Sequence, residues 1–116
     1  MKLYGIPNCN TVKSARVWLA EHGVEYDFHD LKKHGVTAEL LQAWLAQVPW
    51  ETLVNRKGLT WRGLADAEKQ AVCDADSALA LMLAKSSVIK RPVLEQDGKI
   101  LCVGFDATTF TSLLNN

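Results

Sequence analysis

The sequence of 116 residues predicts an α/β fold in which a βαβ unit, a helical stretch and a ββα unit follow one another. Three observations carry this expectation. Two β-capable runs flank a helical pattern at the N-terminus, the middle of the chain repeats apolar residues at helical spacing, and two β-rich runs later bracket the turn pair Asp97-Gly98.

Residues Lys2 to Ile6 are β-capable and stop at Pro7. Val12, Ala15, Trp18 and Leu19 then recur along one face of a helix, which Gly23 closes. Val24 to His29 alternates as a second strand, with Val24, Tyr26 and Phe28 on one face and Glu25, Asp27 and His29 on the other. A strand joined to a parallel neighbour through a helix crosses over right-handed. From Thr37 to Val48 the pattern Leu40, Leu41, Trp44, Leu45 and Val48 is helical, with Thr37 as its N-cap and Glu39 near the positive end of the helix dipole. Asp66 is expected to cap "AEKQAV", and Asp74 or Asp76 to start "SALALMLAK", a segment apolar enough to be buried on most sides. The hairpin at Asp97-Gly98 follows, and Asp106 caps a last helix carrying Phe110, Leu113 and Leu114. This is the element order of a thioredoxin-like domain with a helical subdomain inserted between its halves. A single domain over 1–116 is expected, the insertion running from about 37 to 85.

Composition narrows the function classes. With 13 Lys plus Arg against 13 Asp plus Glu the net charge is zero, which argues against a general electrostatic grip on nucleic acid or on an anionic membrane. The apolar run "ALALML" is about half a membrane span, and nothing at the N-terminus reads as a secretory signal, so a soluble cytoplasmic protein is expected. The cysteines, Cys9, Cys73 and Cys102, are odd in number, far apart and without a C-x-x-C pair. That spacing supports neither a disulfide framework nor a zinc site; no bound metal or cofactor is expected, and the usage suits a reducing compartment.

Cys9 is the chemical focus. It falls at the start of the first helix, where unpaired backbone N–H groups and the dipole favour an anion such as a thiolate. Free cysteine is also among the most buried residue types. A polar loop, Pro7-Asn8 before and Asn10-Thr11 after, at the carboxyl end of a strand favours the reactive reading over simple packing. Lys13 and Arg16 are placed to add positive potential. Cys9 to Arg16 is one residue too long for the C-x5-R phosphate cradle, and Val12 stands where an internal resolving cysteine would be, so an adduct on Cys9 needs an external thiol. Cys73 and Cys102 read as buried or inert.

In "VIKRPVL", Pro92 at the start of a strand is where thioredoxin-like domains keep a cis-proline, which would carry Arg91 close to Cys9 and allow its guanidinium to hold a carboxylate or oxyanion. Its competitor is a plain surface cation. In "VNRKGLTWRGL", Arg56, Lys57 and Arg62 surround Gly58 and Trp61, as an anion site or as a solvated loop anchored by Trp61. His22, His29 and His34 read as surface residues.

Taken together, "LYGIPNCNTVKSARVWL", "LVNRKGLTWRGL", "IKRPVL" and "VGF" resemble the arsenate reductase ArsC/Spx family, most closely its YffB-type branch, over essentially the whole chain. The resemblance implies an oxidoreductase in which Cys9 is the nucleophile and glutathione the reductant or co-substrate, with glutaredoxin as a further partner; a monomer is expected. It implies that Arg91, Pro92, Arg56, Asn10 and Thr11 surround the bound substrate or glutathione. Of three arginines that hold the oxyanion in arsenate-reducing members, Arg56 and Arg91 match two, and Val103 stands at the third. Gly5 and Val12 replace a histidine and a serine that support the thiolate there. The Spx-type regulators, which bind RNA polymerase, carry a C-x-x-C switch that Val12 interrupts, and the glycine of their polymerase contact is replaced around Pro49-Trp50. A glutathione-dependent thiol reductase is therefore the leading expectation, with an Spx-like redox or transcription regulator and an arsenate reductase as alternatives.

Overall fold

Two strands at the N-terminus, β1 (Lys2–Gly5) and β2 (Asp27–Asp30), run parallel and are joined by α1 (Asn10–Glu21). A hairpin of β3 (Val93–Gln96) and β4 (Lys99–Val103) adds antiparallel to the other edge of β1, giving the order β2-β1-β3-β4, and α8 (Ala107–Leu114) follows. The computed structural model describes residues 1–114. This is the thioredoxin-like order expected from the sequence, with helices inserted between its βαβ and ββα halves. Asp97 and Gly98 adopt φ of 52° and 80°, the pair of positive values that a two-residue hairpin turn requires.

The register places Leu3 opposite Phe28 on one side and Leu94 on the other, and Leu94 opposite Cys102. Leu3 and Leu94 join Ala15, Trp18 and Leu19 of α1 and Phe110 of α8 in one core, with Phe28, Leu101, Cys102 and Phe105 packed against it. Phe110 meets the rings of Trp18 and Phe105 edge-on, at centroid distances of 5.4 and 4.8 Å. A one-residue slip of β1 would turn Leu3 away from this core, so burial fixes the register. On the opposite face Tyr4 is buried, and its hydroxyl donates to Glu95 Oε1 at 3.4 Å.

The second strand starts later than the alternation from Val24 suggests. The Val24 N–H still bonds to the Leu19 carbonyl (3.0 Å) as part of the helix end, and pairing with β1 begins only at Lys2 and Asp27. Gly23, at φ 66°, turns the chain between the two.

By its contacts the chain divides into two units, one formed by Met1–His34 with Arg91 onward, the other by Gly35–Lys90. The first holds the sheet, α1, α8 and the short α2 (Leu31–His34). The second is helical: α3 (Ala38–Leu45), α4 (Trp50–Leu53), α5 (Leu59–Arg62), α6 (Asp66–Ala71), α7 (Ala75–Ala84) and a 3₁₀ turn, Ser86–Val88. Here α3 packs on α7. The segment after α4 meets the end of the unit where Asn55 N–H donates to the Val88 carbonyl (2.8 Å) and Lys90 N–H to that of Leu53 (2.7 Å).

Thr37 caps α3, accepting from Leu40 N–H at 3.1 Å, and Asp74 caps α7, accepting from Ser77 N–H at 2.9 Å. Asp66 does not cap α6. Ala65 occupies that place, and Glu68 reaches back from inside the first turn to the Ala65 N–H at 3.1 Å. Nor is α7 buried on most sides: Ala78 and Met82 are buried while Leu83 is 44% exposed.

Candidate active site

Cys9 occupies the N-cap of α1, with an extended backbone (φ −140°, ψ 123°). The side chain is half-buried. Burial alone pushes the thiol pKa up. That effect is outweighed by the backbone N–H of Val12, by hydrogen bonding to and the positive charge of Arg91, and by the N–H of Thr11, so the thiol sits below the ordinary cysteine value. The net direction favours the thiolate, the form that attacks.

Arg91 reaches Cys9 through the peptide that follows it. The Arg91–Pro92 bond is cis, as the sequence suggested, and Pro92 is buried at the start of β3 with its carbonyl receiving the Gly104 N–H at 2.7 Å. Arg91 is thus set on the sheet's own frame, because β3 is paired on both edges. Asn10 and Thr11 are exposed in the first turn of α1. Cys9, Asn10, Thr11, Arg91 and Pro92 all belong to the sheet-bearing unit.

Arg56 lies in the helical unit, exposed, its guanidinium 5.5 Å from the Trp50 ring centroid. With Lys57, Lys90, Asn55 and Glu51 it lines a pocket of about 180 Å³. Trp61 is only half-buried; Val54 and Leu64, at 2% and 5% exposure, are the buried apolar residues at the two ends of that stretch. Val103 lies on β4, paired with Val93 of β3.

Four readings change in detail. Arg16 is committed away from the thiol: its Nε donates to the Tyr26 hydroxyl (3.2 Å) and its guanidinium lies 4.3 Å from the Phe28 ring centroid. Cys73 is exposed rather than buried. Cys102 is half-buried and directs its thiol to the Gly104 carbonyl at 3.4 Å. Of the histidines, His29 is half-buried beside Tyr4, with ring centroids 4.9 Å apart. Among the described residues no group of three or more His, Cys, Asp and Glu could hold a metal ion, and no helix is long and apolar enough to cross a membrane.

Sequence reading missed a packing constraint next to the thiol. A Cβ on Gly5 would stand 2.8 and 3.1 Å from the two methyl groups of Val12. Gly5 and Val12 are therefore adjacent, and the missing side chain at one makes room for the branched side chain at the other. Only the absence of a side chain at one and the branched hydrocarbon at the other could have signalled it.

The ArsC family model matches residues 4–113. The chain belongs to the ArsC family. This ArsC-family chain is 49% identical to the solved YFFB (PA3664) protein, with 97% of each chain covered and a TM-score of 0.90. It is 51% identical to an arsenate reductase (ArsC) related protein from Brucella melitensis, over 96% of this chain and 91% of that one, with a TM-score of 0.78. An uncharacterized protein of Haemophilus influenzae is 40% identical over 104 residues, 90% of either chain.

Proposed function

We propose that this ArsC-family member is a glutathione-dependent thiol reductase with Cys9 as its one nucleophile. The observation that carries this reading is the pairing of Cys9 with Arg91 at the helix end while Val12 fills the position of a resolving cysteine. In the first step the Cys9 thiolate attacks the glutathione sulfur of a mixed disulfide. A Cys9–glutathione disulfide forms, and the substrate leaves as a thiolate that takes a proton from water. A second glutathione thiolate, delivered directly or through glutaredoxin, then attacks that disulfide, releasing oxidised glutathione and restoring Cys9. Arg91 supplies a guanidinium group for a glutathione carboxylate, and Asn10, Thr11 and the Pro92 turn line the bound tripeptide. The thiolate is favoured without a general base, since backbone N–H groups and a permanent cation do that work at any physiological pH.

The test uses a Cys73→Ser background, which removes the exposed second thiol. The Cys9 pKa is read from thiolate absorbance, and adduct formation with oxidised glutathione from intact mass. The expected result is a pKa below the free-cysteine value, a rise in pKa with a matching shift of the rate profile to higher pH in Arg91→Ala, and no adduct in Cys9→Ser. An unperturbed Cys9 together with undiminished reductase activity in Cys9→Ser would overturn the reading.

A further inference from the structure

The register of the two parallel strands sets Gly5 opposite Asp30, so the loop after β1 and the short helix after β2 leave the sheet side by side at its carboxyl edge. Between them lies a groove of about 430 Å³ lined by Ile6, Pro7 and Asn8 on one wall and Asp30, Lys32 and Lys33 on the other. Crevices outside the carboxyl ends of parallel strands are where open α/β sheets bind ligands, and this one ends one residue before Cys9.

Its chemistry is asymmetric. Ile6 and Pro7 give an apolar wall with no charge. Across from them, the Asp30 carboxylate accepts from the N–H groups of Lys32 (3.0 Å) and Lys33 (3.1 Å), so it is turned onto the backbone of α2. Leu31, buried between, anchors that turn. The ammonium groups of Lys32 and Lys33, both exposed, are left as the groove's outward charges.

We propose that this groove receives the peptide segment flanking the disulfide cysteine of the substrate, and that it selects an apolar side chain followed by carboxylates. The inference rests on the thiol-exchange reading above and names its substrate class, acidic peptide mixed disulfides. The apolar side chain lies against Ile6 and Pro7, and the carboxylates meet Lys32 and Lys33, while the scissile sulfur–sulfur bond is held over Cys9. The reaction is unchanged: Cys9 takes the glutathionyl group and the peptide departs from the groove as its thiolate.

The experiment compares two synthetic peptides, each glutathionylated on its single cysteine, with leucine next to it and then either two glutamates or two lysines. Rates of peptide thiol release are measured at low ionic strength, alongside the reaction of the same protein with oxidised glutathione. Two solvent-facing charge contacts predict a preference of about fivefold for the acidic peptide, falling as salt is raised. The double variant Lys32→Glu, Lys33→Glu is expected to reverse the ratio. Each ratio is internal to one protein, so a general loss of activity or fold does not imitate it. Equal rates on the two peptides by a protein that turns over oxidised glutathione, or a preference that survives the charge reversal, would overturn the groove assignment and leave the thiol-exchange reading standing. Failure with all three disulfides would remove the thiol-exchange reading, and this assignment with it.

Discussion

A Cβ on Gly5 would run into both methyl groups of Val12, so the two residues act as one packing unit beside the thiol. Valine is stiff about its first side-chain torsion and Val12 is fully buried, so neither methyl can move aside cheaply. An alanine at Gly5 is therefore expected to destabilise the fold by about 1–3 kcal/mol, the usual cost of overpacking. In a Val12→Ala background the same substitution should cost much less, giving a coupling of about 1 kcal/mol or more. Urea denaturation of the two single variants and the double variant measures it, and strict additivity would refute the contact. The pair also explains what holds the thiolate. With no side chain at Gly5 and hydrocarbon at Val12, the groups left to favour the anion are the Val12 and Thr11 N–H and Arg91.

At the scale of elements, sequence legibility followed local chemistry. Thr37, Asp74, Asp97-Gly98 and Asp106 act through groups within a few residues, and each was readable because its partner lies in the same short stretch. Cys9 at a helix start was readable on the same ground. What escaped depends on partners distant in sequence or on competition among near neighbours. The onset of β2 is set by where β1 begins to pair, and Ala65 displaces Asp66 because Glu68 caps from within the turn. Arg16 was drawn to Tyr26 and Phe28 by the return of the chain after Gly23, and the groove beside Cys9 exists only because two loops far apart in sequence leave the sheet together. The cap at Thr37 carries a direct prediction. Removing its hydroxyl in Thr37→Ala leaves the Leu40 N–H without its acceptor and should cost about 1 kcal/mol in urea denaturation. A change indistinguishable from zero would show that water replaces the cap without loss.

At the scale of the whole molecule, the sheet is closed by strands that the chain reaches only after the helical unit has been traversed. The Tyr4–Glu95 hydrogen bond spans 91 residues and ties the βαβ half to the ββα half across β1 and β3. Burial first, then the charge of Glu95 and the bond to it, push the Tyr4 pKa from 10.0 up to about 12. The folded state thus keeps Tyr4 neutral where the unfolded chain would ionise it. Because the folded pKa is the higher one, this stabilisation is complete below the unfolded value of 10.0 and is lost as pH rises through about 12. The stability difference between wild type and Tyr4→Phe is therefore expected to hold constant from neutral pH to the ordinary tyrosine value and to shrink over the two units above it. Urea midpoints across that window measure it, with tyrosinate absorbance of the folded protein reporting the ionisation of Tyr4 directly. Since Tyr26 is present in both proteins, its own ionisation cancels in the comparison. A difference that stays flat through the alkaline window would mean that Tyr4 ionises as readily in the fold as out of it, and that the long-range bond to Glu95 does not hold the two halves of the sheet together.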